Sequence, residues 1–143
     1  MYDRILVPTD GSDGTARTFD HALSIAADND ATLHVLYVVD RRLILAADED
    51  TQDEVVASLE EDGEEALADA RDRAEESDVA VVTESRQGIP HKEIVEYADA
   101  EGIDLIAMGT HGRTGRERAA ALGSVTERVV ETADRPVLVV HID

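Results

Sequence analysis

Four glycines, Gly109, Gly112, Gly115 and Gly123, punctuate one stretch of the chain, and their chemistry points to an anion. Without a Cβ, glycine lets backbone N–H groups turn inward and approach a phosphate closely. The stretch reads Gly109-Thr110-His111-Gly112-Arg113-Thr114-Gly115-Arg116 and resumes at Gly123-Ser124-Val125-Thr126. Gly123-Ser124 stands at a helix start, where free N–H groups and the positive dipole end favour negative charge. The Ser124 hydroxyl can donate to a phosphate oxygen, or it can cap the helix. Arg113, Arg116 and Arg118, opposed only by Glu117, form a basic island in an acidic chain. They suit a phosphate, and they equally suit pairing with surface carboxylates. His111 sits where it could touch a phosphate. A second loop, Pro8-Thr9-Asp10-Gly11-Ser12, offers the Asp10 carboxylate to ribose hydroxyls, or to its own turn.

Catalytic alternatives lack their signatures. The phosphate-binding lysine of NTPases is missing, since Lys92 follows no glycine loop. Neither a dinucleotide fingerprint nor a Gly-x-Ser-x-Gly nucleophile turn occurs. The histidines at 21, 34, 91, 111 and 141 show no paired ligand spacing, and the chain has no cysteine. The ten acidic residues between Asp48 and Glu65 read as a solvated helix face rather than a metal site. No general base is evident, so any hydrolysis of a bound phosphate ester is expected to be slow. A binding and signalling role is therefore favoured over an enzyme. A dimeric scaffold that binds no nucleotide is the alternative, and a weak phosphohydrolase or autophosphorylating protein is a third reading.

Elements that could position these loops follow from periodicity. Arg4 to Val7 reads as a buried strand closed by Pro8, and Ala16, Phe19, Leu23 and Ala26 recur at helical spacing up to Asn29. Thr32–Val39 is a second strand and residues 40–52 a loop. Val55 to Ala74 keep helical period to about Ser77, and Val79–Ser85 is a third strand. Pro90 opens a helix that Gly102 ends, and Leu105–Met108 is the fourth strand. Ser124 opens a last helix, and Val137–Ile142 is the fifth strand. Alternating strands and helices imply one α/β domain over 1–143, an open parallel five-stranded sheet with helices on both faces. Ligands in such sheets sit beyond the carboxyl ends of strands, where the strand order reverses.

Composition narrows the partners. The chain carries 33 acidic residues against 13 basic ones, for a net charge of −20. Such a field repels nucleic acid and anionic membranes. Lys92 is the only lysine, and an acid-rich, lysine-poor surface is like that of salt-in halophile proteins. No apolar run approaches the roughly 18 residues of a membrane span, and the start goes directly into a strand, so a cytoplasmic location is expected. The apolar segment 136–142 carries no charge, and as a sheet edge it would invite pairing into a homodimer.

The sequence resembles the universal stress protein family along its whole length. The matching words are Ile5-Leu6-Val7-Pro8-Thr9-Asp10-Gly11-Ser12, Leu33-His34-Val35 with Val38, and Gly109-Thr110-His111-Gly112-Arg113-Thr114-Gly115. Gly123-Ser124-Val125-Thr126-Glu127-Arg128-Val129 and Arg135-Pro136-Val137-Leu138-Val139-Val140 complete them. The resemblance implies a Rossmann-like sheet of strand order 3-2-1-4-5 and an adenine nucleotide as ligand, ATP foremost, with Mg2+. It sets the triphosphate against Gly109, Gly112, Gly123 and Ser124 with help from the Val125 backbone, Asp10 on the ribose, and the Val38 backbone against adenine. Pro8, Thr9, Met108, His111 and Arg113 flank these positions as further binding residues. It also implies a homodimer through antiparallel last strands. The family's ATP-binding pattern has nine residues between its second and third glycines, and this chain has ten between Gly112 and Gly123.

Overall fold

Alternation along the strands sets the two faces of the sheet. Ile5 and Val7 of β1 (Arg4–Thr9), Leu33 and Val35 of β2 (Thr32–Asp40), and Leu105 and Ala107 of β4 (Leu105–Gly109) share one buried face. Leu6, Leu36, Ile106 and Met108 share the other. All neighbouring strands pair in parallel, in the order β3-β2-β1-β4-β5, with β3 (Val81–Gly88) and β5 (Val137–Val140) at the edges. The computed structural model describes residues 1–110 and 122–142.

Helices cover both faces. Phe19, Ala22 and Ala26 of α1 (Asp13–Asn29) and Ala70 and Ala74 of α3 (Gln52–Glu76) pack on the first. Ile94, Tyr97 and Ala98 of α4 (Pro90–Ala100) and Val129 of α5 (Ser124–Thr132) pack on the second. With so few aromatics the core depends on aliphatic contacts, and Tyr97 is the largest fully buried side chain. The ten carboxylates between Asp48 and Glu65 are all exposed, as a solvated face requires.

Several boundaries depart from the sequence reading. Residues 40–52 hold a short helix, α2 (Arg41–Ala46), and a 3-10 turn at Glu49–Thr51. Asp40 starts α2 by accepting the Arg42 N–H at 2.9 Å, and only Ile44 is buried, too little apolar pattern to show a period. Pro8 lies within β1 rather than closing it. The ladder to β4 ends at Leu6, so a residue without an N–H is tolerated while β2 stays paired to Thr9. Strand β3 begins at Val81, because the Val79 N–H bonds the Ala74 carbonyl to finish α3, after Asp78 at φ 57°. Strand β5 ends at Val140, two residues before the expected limit.

Candidate functional site

Strands β1 and β4 are neighbours where the strand order reverses, and their carboxyl ends open into a cleft of about 470 Å³. That volume falls within the range of roughly 300–1,000 Å³ typical of small-molecule sites. Pro8, Thr9, Asp10, Val38, Met108, Gly109, Gly123, Ser124 and Val125 all line it. Residues 113 positions apart or more in sequence, Pro8 and Asp10 against Gly123–Val125, are thus brought to one cleft by the topology. His111, Gly112 and Arg113, with the rest of the arginine island, lie outside the described residues, as does the ten-residue spacing.

At one end the wall is backbone and small side chains. Gly123 occupies the N-cap of α5, which makes Ser124 the first helical residue rather than the cap. The Gly123 N–H donates to the Thr110 carbonyl at 2.7 Å, and Thr126 Oγ1 donates to the Gly109 carbonyl at 2.8 Å. These two bonds fix the start of α5 against the end of β4. The N–H groups of the first helical turn have no acceptor within the helix, so this end is a donor site with a positive dipole.

Across from it, the β1 loop is held by its own side chains. Gly11 turns at φ 80°, a left-handed conformation suited to glycine, and its N–H donates to Thr9 Oγ1 at 3.1 Å. Asp10 Oδ1 accepts the Ser12 N–H at 2.9 Å and the Thr15 hydroxyl at 3.5 Å. Asp10 therefore fills its turn role while its carboxylate also borders the cleft.

The other end is apolar. Tyr37 and Val38 of β2, Leu43 of α2, Leu59 of α3, and Pro90 and Ile94 of α4 form it. Tyr37 rests directly on α3 at Gly63, where a Cβ would come within 2.4 Å of the ring. Arg42 stands at this rim, gripped by Asp40 through Nε at 3.0 Å and Nη2 at 2.8 Å. That hydrogen-bonded carboxylate strengthens the charged state of Arg42, whose pKa is raised. Burial first, then the charges of Arg128, Lys92 and Arg42, lower the pKa of nearby His91.

Sequence reasoning missed Thr15, Thr18, Tyr37, Asp40, Arg42, Leu43, Leu59, Pro90, Ile94, Thr126 and Ile142 among the lining residues. Thr15 and Thr18 follow Asp10 on the first turns of α1 and were within reach of a helical reading. Arg42 and Leu43 sat in a segment read as loop. No signal marks Ile142.

The sequence profile of the universal stress protein family matches residues 1–141. The chain belongs to that family. It is 44% identical over 141 residues to universal stress protein MJ0531 of Methanocaldococcus jannaschii, spanning 98% of this chain and 82% of that protein. The solved structure of MJ0577, from the same organism, superposes with a TM-score of 0.88 at 34% identity, covering 100% of this chain and 98% of the other. A universal stress protein solved in complex with cAMP superposes with a TM-score of 0.75 at 28% identity, over 99% of each chain. The universal stress protein fold accounts for the strand order found here. Among the described residues no group of three His, Asp or Glu side chains could hold a metal ion. No described helix is long and apolar enough to cross a membrane.

Proposed function

We propose that this universal stress protein is a regulatory protein that binds an adenine nucleotide in the cleft between β1 and β4. The observation that carries the reading is the cleft's polarity along its length. One end offers the N–H groups of the first turn of α5, which have no acceptor within the helix, and the other is lined by apolar side chains. In this reading the phosphates lie on Gly109, Gly123, Ser124 and Val125, together with Gly112, His111 and Arg113. The ribose lies beside Asp10, and the base lies against Val38, Leu43, Leu59 and Ile94. Pro8, Thr9 and Met108 form the floor. The cAMP complex of a relative supports the ligand class. ATP is the ligand we favour, with Mg2+ carried on its phosphates, as that ion usually binds through phosphates and one or two carboxylates.

A binding role suits these groups better than catalysis. Asp10, a carboxylate on the wall that would face the ribose, already accepts two hydrogen bonds from its own loop and helix. Occupancy would instead bias the conformation of the Gly109–Ser124 segment and so what the protein contacts. Isothermal titration with ATP, ADP, AMP, cAMP, GTP and adenosine, in low salt and in molar KCl, tests the reading. Saturable binding of adenine nucleotides, stronger in KCl as screening relieves the net charge of −20, is expected. Absence of binding by every nucleotide in both salts overturns it. The β5 edge, with Val137, Leu138 and Val139 only partly buried, supports a homodimer, and light scattering that gave a monomer at all concentrations would remove that part.

A further inference from the structure

We infer that the two residues after β5 act as a latch on the nucleotide site, with Ile142 as a positioning residue for the phosphate end. The inference rests on the binding reading above. It begins at Gly109, whose glycine identity has a cause other than phosphate approach. A Cβ built there would lie 2.0 Å from Ile142 Cδ1 and 3.1 Å from its Cγ1. The notch left by the missing side chain is filled by Ile142, which is itself buried.

Hydrogen bonds extend this contact to both neighbours. The Thr110 N–H donates to the Val140 carbonyl at 2.9 Å, and the Ile142 N–H donates to Thr110 Oγ1 at 3.1 Å. The Thr110 carbonyl in turn accepts the Gly123 N–H at the cap of α5. One residue, Thr110, thus ties the segment after β5 to the helix start that would receive the phosphates. Ile142 also lines the cleft directly, on the same wall as Gly109 and Ser124. Seating of Ile142 holds Gly109 and Thr110 in place, and these hold Gly123.

Two consequences follow from linkage. If seating the segment favours the binding geometry, bound nucleotide must favour seating by the same factor. The edge strand β5 and the cleft then share one equilibrium, so ligand occupancy is felt at the sheet edge.

Titration with ATP and amide exchange, at fixed KCl concentration, test this together. Ile142→Ala should raise the ATP Kd about ten-fold, within the range usual for coupled sites, while adenosine affinity stays within about two-fold. Ile142→Val, which keeps most of the seat, should stay near wild type. In the wild-type protein, saturating ATP should slow exchange of the Ile142 amide by a factor comparable to that Kd change. In ligand-free protein, Gly109→Ala should cost much less stability beside Ile142→Ala than alone, because the two side chains compete for one notch. An unchanged ATP Kd in Ile142→Ala, unchanged exchange with ATP, or additive stability effects would each overturn the latch. If wild-type protein binds no adenine nucleotide at all, the binding reading falls with it. Wild-type binding that Ile142→Ala leaves untouched removes the latch alone.

Discussion

The two ends of the cleft are built by different means. Around Gly109, Gly123 and Ser124 the surface is backbone, held by bonds from Thr110 and Thr126 and closed by the notch that Ile142 fills. Around Tyr37, Leu43 and Leu59 it is side chain, contributed by a strand and two helices that meet beyond the sheet. The first end has fixed donors and can select charge. The second has apolar area and can select shape, but carries little direction apart from the Asp40–Arg42 pair at its rim. A ligand spanning both would draw orientation from one and area from the other.

The sharpest way to break this division is Ser124→Asp. It sets a carboxylate among the N–H groups of the first turn of α5, where it would compete with and repel a phosphate. Charged hydrogen bonds contribute about 1.5–3 kcal/mol each, so ATP binding should weaken by roughly 100-fold. Adenosine, which lacks phosphate, should bind as before. The helix should not suffer, because an acidic residue suits its N-terminus. Parallel titrations with ATP and adenosine check this, and equal loss of both would mean the two ends are not separable.

Gly63→Ala attacks the opposite end from below. The new methyl would meet the ring of buried Tyr37 at 2.4 Å, so the ring or α3 must shift. Overpacking costs about 1–3 kcal/mol, offset by about 1 kcal/mol of helix propensity. A net loss of up to about 2 kcal/mol should lower Tm by up to roughly 7 °C. Because Tyr37 lines the cleft, ATP and adenosine should weaken together, unlike the Ser124 case. Thermal unfolding and titration of the same variant read both effects.

The same contrast explains what the sequence could disclose. The strand order came with the family resemblance, and the backbone end was legible in the residues themselves, since a glycine run after β4 and Thr9-Asp10-Gly11 after β1 are local demands on φ/ψ and close approach. The nine described residues read from those loops and from Val38 do border one cleft. The apolar end was not legible, because any aliphatic residue of suitable size serves there and no pattern distinguishes Leu59 from a core leucine. Helix α2 was hidden for a related reason, with one buried residue in six. Gly109 was read as making room for a ligand, and the structure puts Ile142 in that room, a contact that depends on the path of the chain after β5.

Leu43→Ala sharpens the apolar end with a smaller effect. Leu43 borders the cleft yet is 44% exposed, so its removal should barely affect folding. Burying part of a leucine against a base contributes about 1 kcal/mol, so ATP and adenosine should each weaken by roughly five-fold. A change confined to ATP would move Leu43 to the phosphate end and undo the division.

The smallest effect concerns a polar pair behind the apolar end. His34 of β2 and Tyr97 of α4 are both buried and share a hydrogen bond, Nδ1 to Oη at 2.7 Å, with ring centroids 5.7 Å apart. Burial lowers the His34 pKa, with Glu101 and Glu84 opposing and Arg4 assisting. The unfolded chain therefore binds the proton more readily than the folded one, and stability falls as pH drops below about 6.5. Burial also raises the Tyr97 pKa to about 12, so above pH 10 the unfolded chain loses its proton first and stability falls again. Unfolding of His34→Asn between pH 7 and 5 should show a flatter pH dependence than wild type. Some slope should persist, because the His91 pKa is also lowered. An identical slope in the variant would mean that His34 is protonated without cost. Since the pair lies against the sheet and not among the residues lining the cleft, the pH dependence of ATP affinity over that range should be the same in His34→Asn and wild type.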